Sequence, residues 1–384
     1  MLLRSPVFYH QFQCIADKCT DTCCVGWEID IDEKSLEKYR QLPENGPDES
    51  RRTFGKRLLE NIEEGHFKLL PGDRCPFLKE NGLCDMICHL GCKGTDLDEN
   101  GESILCNICR EHPRFVEVYG DIMEKGLGLC CEEAARLLLT SETSCRTSFG
   151  ISSLSFAESE IDEEPDEMPE DAKEARDAIF AERSHMFELM ADSSKSLNQR
   201  LIDVLDYAES VNSYEEDSEK QDDEEPELSP DAIQQTWIEI LGEGESFGPA
   251  WDNAYERMIR KGWPLPTSCR TRSGISLFTD EDGARIVTYL LYRYYAKSLF
   301  DGDGMTKVQF AIYFWIMLQK FGDVLAAGSP ADATDLTRKI NAIKLLSKQT
   351  EYSEEIMEIL ADNFFQNEAF SVSQFRNIIT ALQS

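Results

Sequence analysis

The residues best suited to chemistry in this 384-residue chain are its cysteines, 14 in all. All but Cys269 lie between Cys14 and Cys145. The block Cys14-x4-Cys19-x3-Cys23-Cys24 opens the series. Cys75 and Cys84 follow in RCPFLKENGLC, then Cys88 and Cys92, Cys106-x2-Cys109, the vicinal pair Cys130-Cys131, and Cys145. Thiolates are soft donors that select zinc, copper(I) or iron–sulfur clusters. Structural zinc takes four ligands in a tetrahedron, usually from two short-spaced pairs, and Cys106-x2-Cys109 has that spacing. An iron–sulfur cluster also takes four thiolates but accepts looser spacing. Cys19 and Cys23 share one face if their segment is helical. Vicinal thiols point in different directions, so Cys23 and Cys24 suit separate sites, or one of them reaches back to Cys14.

Packing is the competing explanation. A lone cysteine is ordinarily a small buried hydrophobe, the reading for Cys145 and Cys269. Cys88, Cys92, Cys106 and Cys130 stand open between packing and ligation. The Cys14–Cys24 block is too dense for packing alone and predicts metal or cluster binding. His89 and His112 lie among the thiols as ligands or as satisfied structural histidines. Arg114 either pairs with a carboxylate or braces its loop. Trp27 is expected to shield the centre.

The elements that hold these residues follow from composition and periodicity. The chain carries 39 Lys+Arg against 73 Asp+Glu, a formal net charge of -34. Such a balance excludes a nucleic-acid binder, which needs clustered cations, and opposes docking on an anionic membrane. The opening MLLRSPVFYHQFQC has no apolar signal-peptide core. The run Phe310–Leu318 is too short to span a bilayer and reads as a buried helix. A soluble cytoplasmic protein is therefore expected, where thiols serve metals or redox chemistry rather than disulfides.

The fold class expected is mainly α. A Cys-rich, metal- or cluster-binding unit over residues 1–150 packs on a helical domain over 231–384. Between them, over 151–230, acidic mobile segments flank one or two helices. Glu158–Asp171 and Glu215–Glu227 are runs of acids that repel themselves and bury no core. Helical periodicity appears over Ala172–Val211. Ser229-Pro230-Asp231 reads as a capped helix start. Further helices are expected over Trp251–Lys261, Asp282–Leu299, Lys307–Phe321, Asp332–Lys348, Ser353–Asn363 and Ser371–Leu382.

The stretch FQCIADKCTDTCCVGWEIDIDEKSLEKY resembles the opening of the flagellin lysine-N-methylase family, part of a group with a cysteine cluster described as a zinc- or iron-chelating domain. The resemblance continues through CPFLKENGLC, CREHPRF (Cys109 to Phe115), LGLCCEEAARLLL (Leu127 to Leu139) and ARIVTYLLYRYYAKSLF (Ala284 to Phe300). It implies that Cys14, Cys19, Cys23, Cys24, Cys75, Cys84, Cys109 and Cys131 are the metal ligands. It further implies a [4Fe–4S] cluster, with zinc as the alternative, and methyl transfer from S-adenosylmethionine to surface lysines of flagellin. The chain departs from the family in having Cys130-Cys131-Glu132 where Ser-Cys-Pro is common, and in adding Cys88, Cys92 and Cys106.

Methylating a lysine requires its neutral amine, although free lysine titrates near ~10.4, so desolvation or a neighbouring base is needed. No strand-to-helix G-x-G-x-x-G loop is present to bind the methyl donor. The strict C-x3-C-x2-C motif of radical enzymes is absent too. Asp301-Gly-Asp303-Gly fails as a calcium loop because Met305 and Ile312 stand where oxygen ligands are required. A non-enzymatic zinc- or iron-holding module, structural or redox-sensing, is the alternative function. The catalytic base and the donor-binding residues are not legible.

Overall fold

The computed structural model describes residues 1–98, 100–141, 154–212, 228–261, 276–328 and 332–382. Cys145, Cys269 and the acidic run 215–227 lie outside the described residues. The chain forms two compact units. The first comprises Met1–Phe12, Val116–Cys130 and Ala134–Ser384; the second comprises Gln13–Phe115 and Cys131–Glu133. This division differs from the one composition suggests. Strand β1 (Leu2–Pro6) pairs in parallel with Ile122–Leu127 and antiparallel with Phe156–Glu160, which ties the opening residues to the helical unit.

The second unit is small and built on short elements. Helices α1 (Glu33–Asn45) and α2 (Glu49–Glu60) form a hairpin, followed by the two-stranded ribbon β2 (Ile62–Glu63) and β3 (His66–Phe67) and by helices α3 (Asp85–Leu90) and α4 (Asn107–Glu111). Asp32 starts α1: its carboxylate accepts from Ser35 N at 3.0 Å and, through the other oxygen, from Asn107 N at 2.8 Å. One side chain thus caps α1 and satisfies the first N–H of α4. Gly55 lets α1 and α2 cross closely, since a Cβ there would lie 2.7 Å from Leu42 Cβ. Tyr39, Phe54, Leu58, Phe67, Phe77 and Met86 fill the core together with Cys75 and Cys106. Each large side chain so buried contributes about 1.5–3 kcal/mol.

The first unit contains strand β4 (Arg114–Tyr119) from Val116 onward, β5 (Ile122–Leu127) and β6 (Phe156–Glu160), which with β1 form a mixed sheet in the order β4-β5-β1-β6. Helix α5 (Glu132–Thr140) follows β5. The remaining helices are α6 (Glu170–Ala191), α7 (Leu197–Asn212), α8 (Pro230–Ile240), α9 (Pro249–Lys261), α10 (Asp280–Tyr294), the single turn α11 (Ser298–Asp301), α12 (Gly304–Gly328), α13 (Asp335–Gln349), α14 (Glu354–Gln366) and α15 (Val372–Ala381). Most follow the helices expected from periodicity, but the stretch expected as one helix over Asp282–Leu299 breaks after Tyr294 into a 3-10 turn and α11; the protein is mostly helical with a small mixed sheet. Ser229 caps α8, and Thr279 with Asp282 forms a capping box on α10. Phe310–Leu318 are buried throughout α12. Among the described residues no helix is long and apolar enough to cross a membrane.

The start of the first acidic segment is not a mobile linker. Residues Phe156–Glu160 pair with β1 in register, Leu2 opposite Glu160 and Pro6 opposite Phe156. Arg4 holds Glu158 at 2.9 Å, and the N-terminal ammonium donates to Ile161 O at 3.0 Å. Acid-rich composition was outweighed by strand pairing, a contact that charge counting cannot see. Deeper in this unit Arg183 makes a fork to Glu124, 2.8 and 2.5 Å, with both side chains almost fully buried.

Candidate functional site

The second unit gathers Cys14, Cys19, Cys23, Cys24, Cys75, Cys84, Cys109 and Cys131, none of them in a disulfide. Backbone pairing brings the distant segments together. Cys75 N–H donates to Cys24 O at 2.8 Å, Gly26 N–H to Asp73 O at 3.0 Å, and Val25 bridges to Arg74. From Cys75 the chain folds back as a hairpin: Leu78 bridges to Cys84, and Lys79 N–H donates to Leu83 O at 2.9 Å. Gly82 turns that hairpin with φ +79°, a conformation glycine adopts without a steric penalty. Cys84 and Cys106 are the residues immediately before α3 and α4.

The thiols perturb one another. Cys24 is lowered to about 7, chiefly by the hydrogen bond from the Cys23 thiol; burial opposes this and the Thr22 hydroxyl assists. Cys23 is correspondingly raised by the same hydrogen bond, with Cys14 and Cys131 within electrostatic reach. Cys106 is lowered by its hydrogen bond with Cys109, whose own thiol is raised in turn. Burial pushes Cys75 up to about 12, opposed by the Phe77 N–H. Burial likewise raises Cys84 to about 11, opposed by the N–H groups of Ile87 and Met86. Asp32 is pushed up by burial, yet the Asn107 and Ser35 N–H groups prevail and lower it.

Two groups emerge, meeting at the vicinal pair. Cys14 and Cys131 each lie within electrostatic reach of Cys23. Cys24, Cys75, Cys84, Cys106 and Cys109 form the other, packed in the apolar core of the unit. Among the described residues, no three His, Cys, Asp or Glu side chains converge closely enough to hold a single metal ion. In other respects the second group suits an iron–sulfur cluster. Its donors are soft, its surroundings are apolar, and Cys75, Cys84 and Cys106 each have backbone N–H donors at sulfur, the hydrogen bonding that tunes cluster thiolates.

Other residues resolve differently. Cys19 Sγ faces the Asp21 carbonyl and lies 3.6 Å from Glu132 Oε2. That carboxylate also accepts from Thr20 N at 2.8 Å and Thr20 Oγ1 at 2.6 Å. Glu132 is the residue that departs from the family's proline, and its function as an anchor was not visible in sequence. Cys106, left open between packing and ligation, is fully buried beside Cys109. Cys88 is exposed, near Cys84. Cys130 belongs to the first unit, where its thiol is hydrogen-bonded to Tyr352. His89 stacks on Phe54 at 4.7 Å, and its Nδ1 lies 3.1 Å from Asp85, a structural arrangement. Trp27 donates to Cys23 O at 2.8 Å and packs on His112 at 5.3 Å.

The recesses of this unit include a cavity and an open hollow. A cavity of about 230 Å³ is lined by Tyr39, Arg51, Asp98 and Lys38, whose ammonium contacts Asp98 at 2.8 Å and Glu102 at 3.5 Å. An open hollow of about 530 Å³ lies against Cys19, with Asp21, Val25, Arg74, Leu78 and Lys79 in its wall.

The chain is similar to the flagellar biosynthetic protein FliU of Salmonella muenchen, 29% identical over 143 residues, which is 36% of this chain and 76% of FliU. It is equally similar to lysine-N-methylases of Salmonella typhimurium and Salmonella choleraesuis, 29% identical over 143 residues, but there the match spans 32% of each relative. These relatives bear out the resemblance to flagellin lysine-N-methylases. No family model matches the chain, and no solved structure matches it.

Proposed function

We propose that this protein is a lysine N-methyltransferase that takes its methyl group from S-adenosylmethionine, acts on surface lysines of flagellin, and carries an iron–sulfur cluster on the thiols of its second unit. The names of the relatives support the methylase reading. The observation that carries the cluster is the set Cys24, Cys75, Cys84, Cys106 and Cys109, gathered in apolar surroundings with backbone N–H groups aimed at sulfur. Cys14, Cys23 and Cys131 supply further thiolates beside them.

In the reaction the lysine nitrogen lone pair forms a bond to the methyl carbon while the carbon–sulfur bond breaks. Sulfur keeps the bonding pair and leaves as a neutral thioether, and the proton of the lysine ammonium passes to solvent. The cluster, when bound, would supply a rigid core around which these loops order. The chain must hold amine, methyl and sulfur in line. Its net charge of -34 favours encounter with basic substrate surfaces, an effect that salt weakens.

The test is methyl transfer from labelled S-adenosylmethionine to purified flagellin, read by mass spectrometry on lysine peptides. Methylated lysines that depend on this protein support the reading. Unmodified flagellin with metal-replete protein overturns it and favours the non-enzymatic module.

A further inference from the structure

We propose that the open hollow against Cys19 is the binding site for S-adenosylmethionine, with Arg74 and Lys79 taking its carboxylate and Val25 and Leu78 flanking its adenine. The proposal rests on the methylase reading and gives it a location.

The ligand has distinctive chemistry: one carboxylate, two cationic centres in the ammonium and the sulfonium, and a flat apolar base. The hollow offers a match for each part. Arg74 and Lys79 bring two cations to its lining, while Asp21 and Glu80 bring carboxylates for the ammonium and sulfonium. A guanidinium has five N–H donors in a planar fork suited to carboxylates, and the Leu78 carbonyl occupies one amino nitrogen of Arg74 at 2.7 Å. Lys79 is exposed, and its contact with Asp85 is long at 3.8 Å. Val25 and Leu78 are half-buried and offer an apolar face.

Size favours the hollow over the cavity at Tyr39. Pockets for molecules of this class run roughly 300–1,000 Å³. The hollow's volume of about 530 Å³ falls within that range, whereas the cavity at Tyr39 is about 230 Å³. The ammonium of Lys38 in the smaller cavity is already engaged by Asp98 and Glu102. Position points the same way, because the hollow adjoins Cys19 and the Thr20 loop that Glu132 anchors. The loss of a G-x-G-x-x-G loop is thereby accounted for: the recognition groups come from the hairpin between Cys75 and Cys84 and from the Cys19–Val25 loop.

The experiment is calorimetry on the full chain, purified without oxygen, with S-adenosylhomocysteine as the probe. Arg74→Gln and Lys79→Glu should each weaken binding by about tenfold, about 1.4 kcal/mol. Arg51→Ala, in the smaller cavity, should leave binding within about twofold of wild type. Because Arg74 also braces its own hairpin, Lys79→Glu with an unchanged melting temperature is the decisive variant. Wild-type binding with unaltered affinity in Lys79→Glu overturns the location and leaves the methylase reading standing. Equal weakening by Arg51→Ala also overturns the location. Absence of binding to the wild-type protein overturns both.

Discussion

Cys75 N–H donates to Cys24 O across 2.8 Å, so two thiol-bearing segments far apart in sequence are clamped together by main chain. The Val25–Arg74 bridge and the Gly26 N–H to Asp73 O bond extend the same pairing. The thiol positions are therefore preorganised by ordinary backbone hydrogen bonds, which also settle the polar groups of the loops that carry them.

The first prediction concerns ligand choice. Cys24→Ala and Cys75→Ala should each strip most bound iron from the protein. Cys88→Ala should retain it, because that thiol is not among those packed with the apolar core of the unit. Iron content per chain measures both; retention in Cys24→Ala would contradict the assignment.

Cys106 separates this chain from the family pattern. Its side chain is fully buried and hydrogen-bonded to Cys109. Cys106→Ser should perturb the absorption and redox potential of the proposed cluster, since it alters one of the gathered thiols. Spectra identical to wild type would assign Cys106 to packing alone.

Glu132 anchors the Cys19–Thr20 loop through Thr20 N and Oγ1. Hydrogen bonds to a charged acceptor contribute about 1.5–3 kcal/mol each, less where water competes, as at the exposed Thr20. Glu132→Ala should lower stability by about 1–2 kcal/mol in urea unfolding. Thr20→Val added to it should cost little more, since both remove one interaction. Fully additive losses would contradict the coupling.

Deleting Glu158–Asp171 should lower the melting temperature by several degrees, because it removes three of the five residues of β6, the Arg4–Glu158 ion pair and the first two residues of α6. Composition alone leads to the opposite expectation, a neutral deletion. An unchanged melting curve would show that the strand contributes nothing.

In the first unit, Glu124→Gln should destabilise by about 3–5 kcal/mol, the usual penalty for leaving a buried cation without its partner. Arg183 is almost fully buried, and its fork to Glu124 is its charged partner there. Replacing both by Met and Leu should recover much of that loss. Urea midpoints for the single and double variants measure it.

Much of the helical architecture was legible because amphipathic periodicity and caps are local signals: Ser229 ahead of Pro230 and the apolar stripe of α12 needed no tertiary information. The sheet was not legible. β1 pairs with β5 and β6, both remote in sequence, and β6 is short and half acidic. At the site, the thiols announced themselves by density. Arg74, Lys79 and Glu132 did not, since surface charges in an acidic chain carry no pattern until folding places them around one loop. The division of the chain was obscured for a related reason: Met1–Phe12 precede the cysteines yet join the helical unit through strand pairing.

The most direct measurement is metal and sulfide analysis of protein purified without oxygen, combined with its visible spectrum. The account predicts a brown protein with iron and acid-labile sulfide in equal amounts and broad absorption near ~400 nm. Colourless protein with stoichiometric zinc, or with no metal at all, would contradict it.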